Sequence, residues 1–330
     1  MRIAVIDDWQ GVAADCADWS RVVSAAKVDF LTANYADGDA LVAALAPYDA
    51  IVALRDRTRF PRELLERLGG LQLIVQTGEN TAHIDLDACA DLGISVARTP
   101  WGDIDRSATP ELCFGLMLAM AHRIVAGDAA LRAGRWQEGI PLGVPLRGQA
   151  LGLLGLGTVG ARVARYALAF EMEVVAWSPH LTAARAAAAG AVLVDKHELM
   201  SRPDILSLHL VASASTYGIV GREDIESMRD GSLLVNTARS ALVDQSAMED
   251  ALRSGRISAA LDVYDREPLP ADSWLRHAPN VLITPHLGFV KRDLLEAFYG
   301  GAVVQLEAWL DGTAPGASRP SGRTDQVPLD

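Results

Sequence analysis

The run Leu151-Gly152-Leu153-Leu154-Gly155-Leu156-Gly157-Thr158-Val159-Gly160 carries the strongest structural signal in this 330-residue chain. Its first four positions predict a buried strand, after which Gly155-x-Gly157-x-x-Gly160 opens a helix. That order is where a dinucleotide pyrophosphate sits. Gly155 permits a tight turn, Gly157 lets backbone approach phosphate with no Cβ in the way, and Gly160 lets helix and strand pack closely. The helix N-terminus supplies unbonded N–H groups and the positive end of a dipole. Glycine-rich strand-to-helix turns also arise for packing alone. Here the flanks favour a nucleotide: residues 161–170 read as a helix and Glu173-Val174-Val175-Ala176-Trp177 as the next strand.

Outward from this turn, apolar runs at 151–154, 174–177, 191–194, 205–208, 233–236, 259–263 and 281–284 predict the strands of a complete dinucleotide-binding sheet. The alanine-rich run 183–189 reads as helix filler. On the N-terminal side, runs at 3–6, 28–31, 50–54, 71–75 and 94–97 alternate with helical patterns at 41–45, 62–68 and 86–92. Such alternation predicts a second parallel sheet covered on both faces, flavodoxin-like in size. Asp7-Asp8 looks like an acidic phosphoacceptor pair but reads better as a solvated strand end. A long helix over about 105–124 is apolar nearly all round and needs cover beyond its own sheet, for which a subunit interface is a natural use. Residues 131–147 carry turn chemistry, one more helix spans about 292–310, and 312–330 read as a disordered tail.

Composition narrows the class. Length allows two cores, and half the residues are hydrophobic without any run near the roughly 18–20 apolar residues of a membrane span. Met1-Arg2-Ile3-Ala4-Val5-Ile6-Asp7-Asp8 is soon too acidic for a secretory signal, so a soluble cytoplasmic protein is expected. A net charge of −12 argues against nucleic acid or an anionic membrane as main partner. Cys16, Cys89 and Cys113 fit reduced core thiols, and the seven histidines form no ligand cluster, so no structural metal is expected.

Three later signatures complete the pattern: Asn236-Thr237-Ala238-Arg239-Ser240, Leu261-Asp262-Val263-Tyr264-Asp265-Arg266-Glu267-Pro268 and Thr284-Pro285-His286-Leu287-Gly288. With the glycine turn, and in this order, they resemble the D-isomer-specific 2-hydroxyacid dehydrogenase family over residues 1 to about 310. The resemblance implies a Rossmann-type dinucleotide-binding domain (102–286) inserted in a flavodoxin-like substrate domain (1–101 and 287–330). It implies an active site of Arg239, Glu267 and His286, an NAD(H) or NADP(H) cofactor, a small anionic 2-oxo or 2-hydroxy acid substrate, and a homodimer. The chemistry asks for the same side chains: reducing a 2-oxo acid needs a cation for carboxylate and developing alkoxide, and a proton donor for that oxygen. A carboxylate at Glu267 beside His286 would stabilise the imidazolium.

Cofactor contacts implied by the resemblance are Gly155, Gly157, Thr158, Val159, Gly160, Thr237, Ala238, Asp262, Thr77, Thr109 and Gly288. Leu54-Arg55-Asp56-Arg57-Thr58 resembles the family's R-x-x-T stretch and places Arg55 near substrate. Val75-Gln76-Thr77-Gly78-Glu79-Asn80 resembles the loop whose amides hold the substrate carboxylate, through Thr77, Gly78 and Glu79. It departs from the usual G-x-G-x-D-N-I-D form, which leaves the substrate open; His83 in the altered loop reads as a packing residue. A second departure is Ser178, where NAD-specific members have an acid on the ribose; serine neither grips both hydroxyls nor repels a 2′-phosphate. A third is Leu210-Val211-Ala212-Ser213 after His209, where the family has H-x-P. Rival readings are oxidation of formate, phosphite or phosphoglycerate on the same scaffold, and a non-catalytic NAD(H)-sensing protein.

Overall fold

A computed structural model describes residues 1–35, 38–99 and 105–313. The chain divides into two compact units, Met1–Ile104 with Lys291–Asp330, and Asp105–Val290. The expected domain boundary at 101/102 and most of the expected disordered tail lie outside the described residues.

The first unit holds β1 (Arg2–Val5), β2 (Lys27–Phe30), β3 (Ala50–Ala53), β4 (Leu73–Gln76) and β5 (Ser95–Arg98), all parallel in the order β2-β1-β3-β4-β5. This is the flavodoxin-like order. β3 and β4 are buried along their whole length, which is why they read as unbroken apolar runs rather than alternating ones. The helix Arg292–Leu310 returns to this unit and adds Leu294, Leu295, Phe298, Tyr299, Ala302 and Leu306 to its core. Gly301 allows the approach: a Cβ there would stand 2.9 Å from that of Thr99.

The second unit holds β6 (Ala150–Leu154), β7 (Glu173–Trp177), β8 (Val192–Leu193), β9 (Ile205–Leu208), β10 (Leu233–Asn236), β11 (Ser258–Leu261) and β12 (Val281–Ile283), parallel throughout in the order β12-β11-β10-β9-β6-β7-β8. The chain steps outward from β6 to β8, then returns to β9 on the other side of β6 and steps outward to β12. All seven carboxyl ends therefore share one edge, with the order reversing between β6 and β9. In open α/β sheets that is where ligands bind.

Two expectations need correction. The helix expected over about 105–124 is shorter, Ala108–Ala121, and a second helix, Ile124–Arg132, follows at a 63° bend with Arg123 in left-handed backbone at φ 56. The chain returns past this helix end, where Val144 N–H donates to Ala121 O and a Cβ on Gly143 would stand 2.9 Å from that oxygen. Asp7 and Asp8 are not solvated but 6% and 2% exposed. The Asp8 carboxylate accepts from Val12 N and Ala13 N, and Asp7 accepts the Thr58 hydroxyl.

Candidate active site

β6 delivers the chain into the glycine turn. Gly155 takes φ +101, a conformation that L side chains avoid, and a Cβ there would come within 2.9 Å of the His209 carbonyl carbon. A Cβ on Gly160 would overlap the Gly155 carbonyl oxygen. Around Gly157 the space is open. The helix Thr158–Ala169 starts with no side-chain cap, and Ala161 N donates to Gly157 O at 2.9 Å. The first-turn N–H groups thus face an open cradle, the arrangement that binds phosphate.

Three adjacent strands deliver the polar residues to the same edge. Arg239 follows β10, Asp262 and Glu267 follow β11, and His286 follows β12. His286 Nδ1 lies 2.6 Å from Glu267 Oε2, and the other Glu267 oxygen accepts from Tyr264 N at 2.8 Å. Both carboxylate oxygens are engaged, so the acid is held in one orientation. Side-chain exposures of 19% for His286 and 28% for Glu267 leave the pair reachable but largely out of water. His286 is itself in left-handed backbone, at φ 53. Asp262, fully buried, holds the turn: it accepts from Leu287 N at 2.7 Å, Gly288 N at 2.9 Å and the Thr284 hydroxyl at 2.6 Å. Burial pushes its carboxyl above the usual range, and those donors oppose the rise. Thr109 ties Ala108–Ala121 to the turn by donating to Gly288 O at 2.8 Å.

Asn236 organises the arginine. Its Nδ2 donates to Arg239 O at 2.9 Å and its Oδ1 accepts from Ala238 N at 3.0 Å, fixing the backbone of Thr237, Ala238 and Arg239. The half-buried Arg239 side chain folds back so that Nη1 meets Ala238 O at 2.7 Å. Asn236, and Tyr264 with its hydroxyl on Leu261 O and Thr284 O, are positioning groups that sequence reasoning quoted within motifs without assigning them a task. Their signal was a strand-end amide and an aromatic hydroxyl in motifs otherwise rich in charge.

In the first unit the structure gathers Arg55, Thr77 and Gly78. Arg55 N donates to Thr77 Oγ1 at 2.8 Å, and a Cβ on Gly78, which has φ +83, would overlap the Arg55 guanidinium. The positive φ is what calls for glycine there, since the guanidinium is the end of a flexible side chain. The Gly78 amide is taken by Thr99 Oγ1 at 2.7 Å, so it is committed within this unit rather than left for a ligand. Glu79 stands exposed beyond the cluster. His83 packs as expected, its Nε2 3.0 Å from Gln76 Oε1. At the end of β7, Ser178 is half-buried, and residues 178–182 contain no acid.

An open phosphate cradle at the strand-order reversal, and a His–Glu pair and an arginine on the same sheet edge, define a dinucleotide-binding α/β protein. Comparison with known proteins gives the family. Residues 114–288 match the family model described as "D-isomer specific 2-hydroxyacid dehydrogenase, NAD binding domain". A D-3-phosphoglycerate dehydrogenase of Archaeoglobus fulgidus is 35% identical over 254 residues, 77% of this chain and 48% of that protein. A hydroxypyruvate reductase of Thermotoga maritima is 35% identical over 262 residues, 78% of this chain and 83% of that one. A phosphoglycerate oxidoreductase of Vibrio cholerae, solved as a crystal structure, superposes with a TM-score of 0.89 at 34% identity, over 95% of this chain and all of that one. The chain belongs to the D-isomer specific 2-hydroxyacid dehydrogenase family. It spans about half the length of the phosphoglycerate dehydrogenases it matches first. The matched region is the family's NAD binding domain, and the open turn around Gly157 fits that cofactor.

Proposed function

We propose that this protein interconverts a small 2-oxo acid and its D-2-hydroxy acid with NAD(H), with NADP(H) as the alternative cofactor that Ser178 leaves open. The observation that carries this reading is the 2.6 Å contact between His286 Nδ1 and Glu267 Oε2 on the sheet edge that also bears Arg239. Bound nicotinamide supplies or accepts the hydride. His286 gives a proton from Nε2 to the oxygen that becomes the hydroxyl, and takes it back in oxidation. Glu267 fixes the ring through its contact with Nδ1. Arg239 offers its guanidinium to the substrate carboxylate and to charge growing on the oxo oxygen.

Gly155, Gly157, Thr158, Val159 and Gly160 would hold the cofactor phosphates and Ser178 the adenosine ribose. Thr237, Ala238, Asp262, Thr109, Gly288 and Thr77 are the remaining cofactor contacts of this reading, and Arg55, Thr77 and Glu79 its substrate contacts; Gly78, whose amide is taken by Thr99, shapes the loop that carries them. The relatives' names, phosphoglycerate dehydrogenase and hydroxypyruvate reductase, make small hydroxy and oxo acids the first substrates to try. Three buried free thiols suit a reducing cytoplasm. Among the described residues no single helix is long and apolar enough to cross a membrane. A second copy of the chain is the expected partner. The surface offered to it shifts, because Ala108–Ala121 buries Cys113, Phe114, Leu116 and Met117 in its own unit. Ile124, Val125, Leu131, Trp136 and Leu142, which follow, are the exposed ones.

Purified protein is to be assayed with NADH and NADPH against glyoxylate, hydroxypyruvate, pyruvate and, in oxidation, 3-phosphoglycerate, formate and phosphite. Turnover of at least one acid is expected, with His286→Ala and Arg239→Ala each about 10²- to 10⁴-fold slower. Tight cofactor binding without turnover on the whole panel would overturn this reading in favour of an NAD(H)-sensing protein.

A further inference from the structure

The side chain of Gln76, at the end of β4, is 1% exposed in the first unit, and the proposed chemistry leaves it without a task. Its amide nitrogen donates to Arg55 O at 2.9 Å and to Thr77 O at 3.0 Å, and its oxygen faces His83 Nε2 at 3.0 Å. A carbonyl only accepts, so the two carbonyls fix which end of the amide is nitrogen. The oxygen left facing the ring also only accepts. His83 Nε2 therefore carries a proton and donates it, and a neutral His83 is the Nε2–H tautomer.

These bonds close the base of one loop. Thr77 opens it and His83 ends it, with Glu79, Asn80 and Ala82 exposed between them. The far end is anchored a second time: Phe60 N donates to His83 O at 2.8 Å and Asp85 N to Phe60 O at 2.9 Å, with Phe60 fully buried. The same amide also reaches the neighbouring strand, where Ala53 is the register partner of Gln76. Arg55, two residues on, has φ 58, and both its backbone polar groups are engaged across the pair, N by Thr77 Oγ1 at 2.8 Å and O by Gln76 Nε2. Left-handed backbone at a residue other than glycine persists only where its surroundings over-determine it. Without a donor at 83 the Gln76 oxygen would be buried unpaired, and turning the amide over would set that oxygen against two carbonyl oxygens.

We propose that His83 is a positioning residue for substrate binding: by donating from Nε2 to Gln76 it locks the buried amide onto the carbonyls of Arg55 and Thr77, and so holds the Arg55 backbone and the loop 77–83 in the arrangement that receives the acid. This rests on the substrate reading above, in which Arg55, Thr77 and Glu79 are the contacts. His83 acts through Gln76 rather than on the acid itself. The segment that departs from the family's G-x-G-x-D-N-I-D form is the one this clamp ties down.

The test compares His83→Leu, His83→Asn and His83→Gln with the natural protein in steady-state kinetics, using whichever acid of the panel above turns over best. Glutamine places an N–H near the Nε2 position, asparagine only near Nδ1, and leucine supplies none. Leucine and asparagine are expected to raise KM for the acid by about 5- to 50-fold with kcat changed less than about twofold, because contacts to the unreacting part of a substrate are lost equally from ground and transition states. Glutamine should stay within about threefold of the natural KM, and NADH affinity within about threefold in all four proteins. Equal KM throughout would overturn the assignment, as would equal losses in all three variants or a fall in kcat at unchanged KM. In the natural protein, ¹⁵N spectra of the His83 imidazole should show a proton on Nε2; a ring protonated on Nδ1 alone would sink the proposal even if the variants fail to fold. Failure of the natural protein to turn over any acid would instead remove the functional reading on which this one stands.

Discussion

His286 occupies left-handed backbone, a conformation that costs a residue other than glycine on the order of 1–3 kcal/mol. The turn around it holds because the buried Asp262 collects the two amides that follow. Residue by residue, then, the site divides into groups that do chemistry and groups that hold them. Glu267 belongs to both, since one oxygen faces His286 and the other is bonded to Tyr264 N. Glu267→Gln should lower kcat/KM by about 10- to 100-fold while leaving NADH affinity unchanged, as steady-state kinetics and a binding titration will show. In the first unit, burial pushes Asp7 up to about 6, against the pull of the Thr58 hydroxyl and of Arg57. A carboxyl whose folded-state value is raised contributes stability that is complete below its unfolded value, near 4, and is lost as pH climbs through about 6. Asp7→Asn should therefore be more stable than the natural protein by up to about 3 kcal/mol at about pH 8, and lose that advantage at about pH 4. Thermal melts at the two pH values check the sign; a variant less stable at the higher pH would contradict it.

At the scale of elements, the strands were the legible part. Apolar runs at 205–208 and 233–236 coincide with β9 and β10, because a strand buried on both faces has no alternative to continuous hydrophobicity. Short helices were less legible. Lys196–Ser201 and Gln245–Arg253 follow Asp195 and Asp244, whose carboxylates accept from Glu198 N and Ala247 N. Those caps were an available signal for helices of only six and nine residues. The glycine turn is the element on which the cofactor site depends. Gly155→Ala sets a Cβ against backbone in a left-handed conformation and should lower stability by on the order of 3 kcal/mol, about 6–12 °C in Tm, and weaken NADH binding more than tenfold. Asp244→Ala, which removes a helix cap far from the turn in sequence, should lower Tm by only about 2–4 °C and leave NADH affinity intact.

For the molecule as a whole, two parallel sheets of different strand order come from one chain, the larger inserted within the sequence of the smaller. The homodimer proposed above would cover the exposed apolar side chains of 124–142 and remove them from water. Light scattering at micromolar concentration should return twice the chain mass. Replacing Leu142, 90% exposed, and Trp136, 68% exposed, by polar residues should shift the mass toward one chain. A single-chain mass for the natural protein would refute the dimer.

By itself the sequence determined the sheet membership of each strand, the phosphate turn and the types of side chain available for proton transfer. These follow from local rules: buried parallel strands must be apolar, and a turn at positive φ beside a helix start must be glycine. Only the tertiary structure decided which oxygen of Glu267 faces His286, that Asn236 clamps the backbone of Arg239, that Thr99 occupies the Gly78 amide, and that Asp7 and Asp8 are buried. Each of those depends on groups far apart along the chain meeting across strand ends, and no local pattern encodes the distance between them.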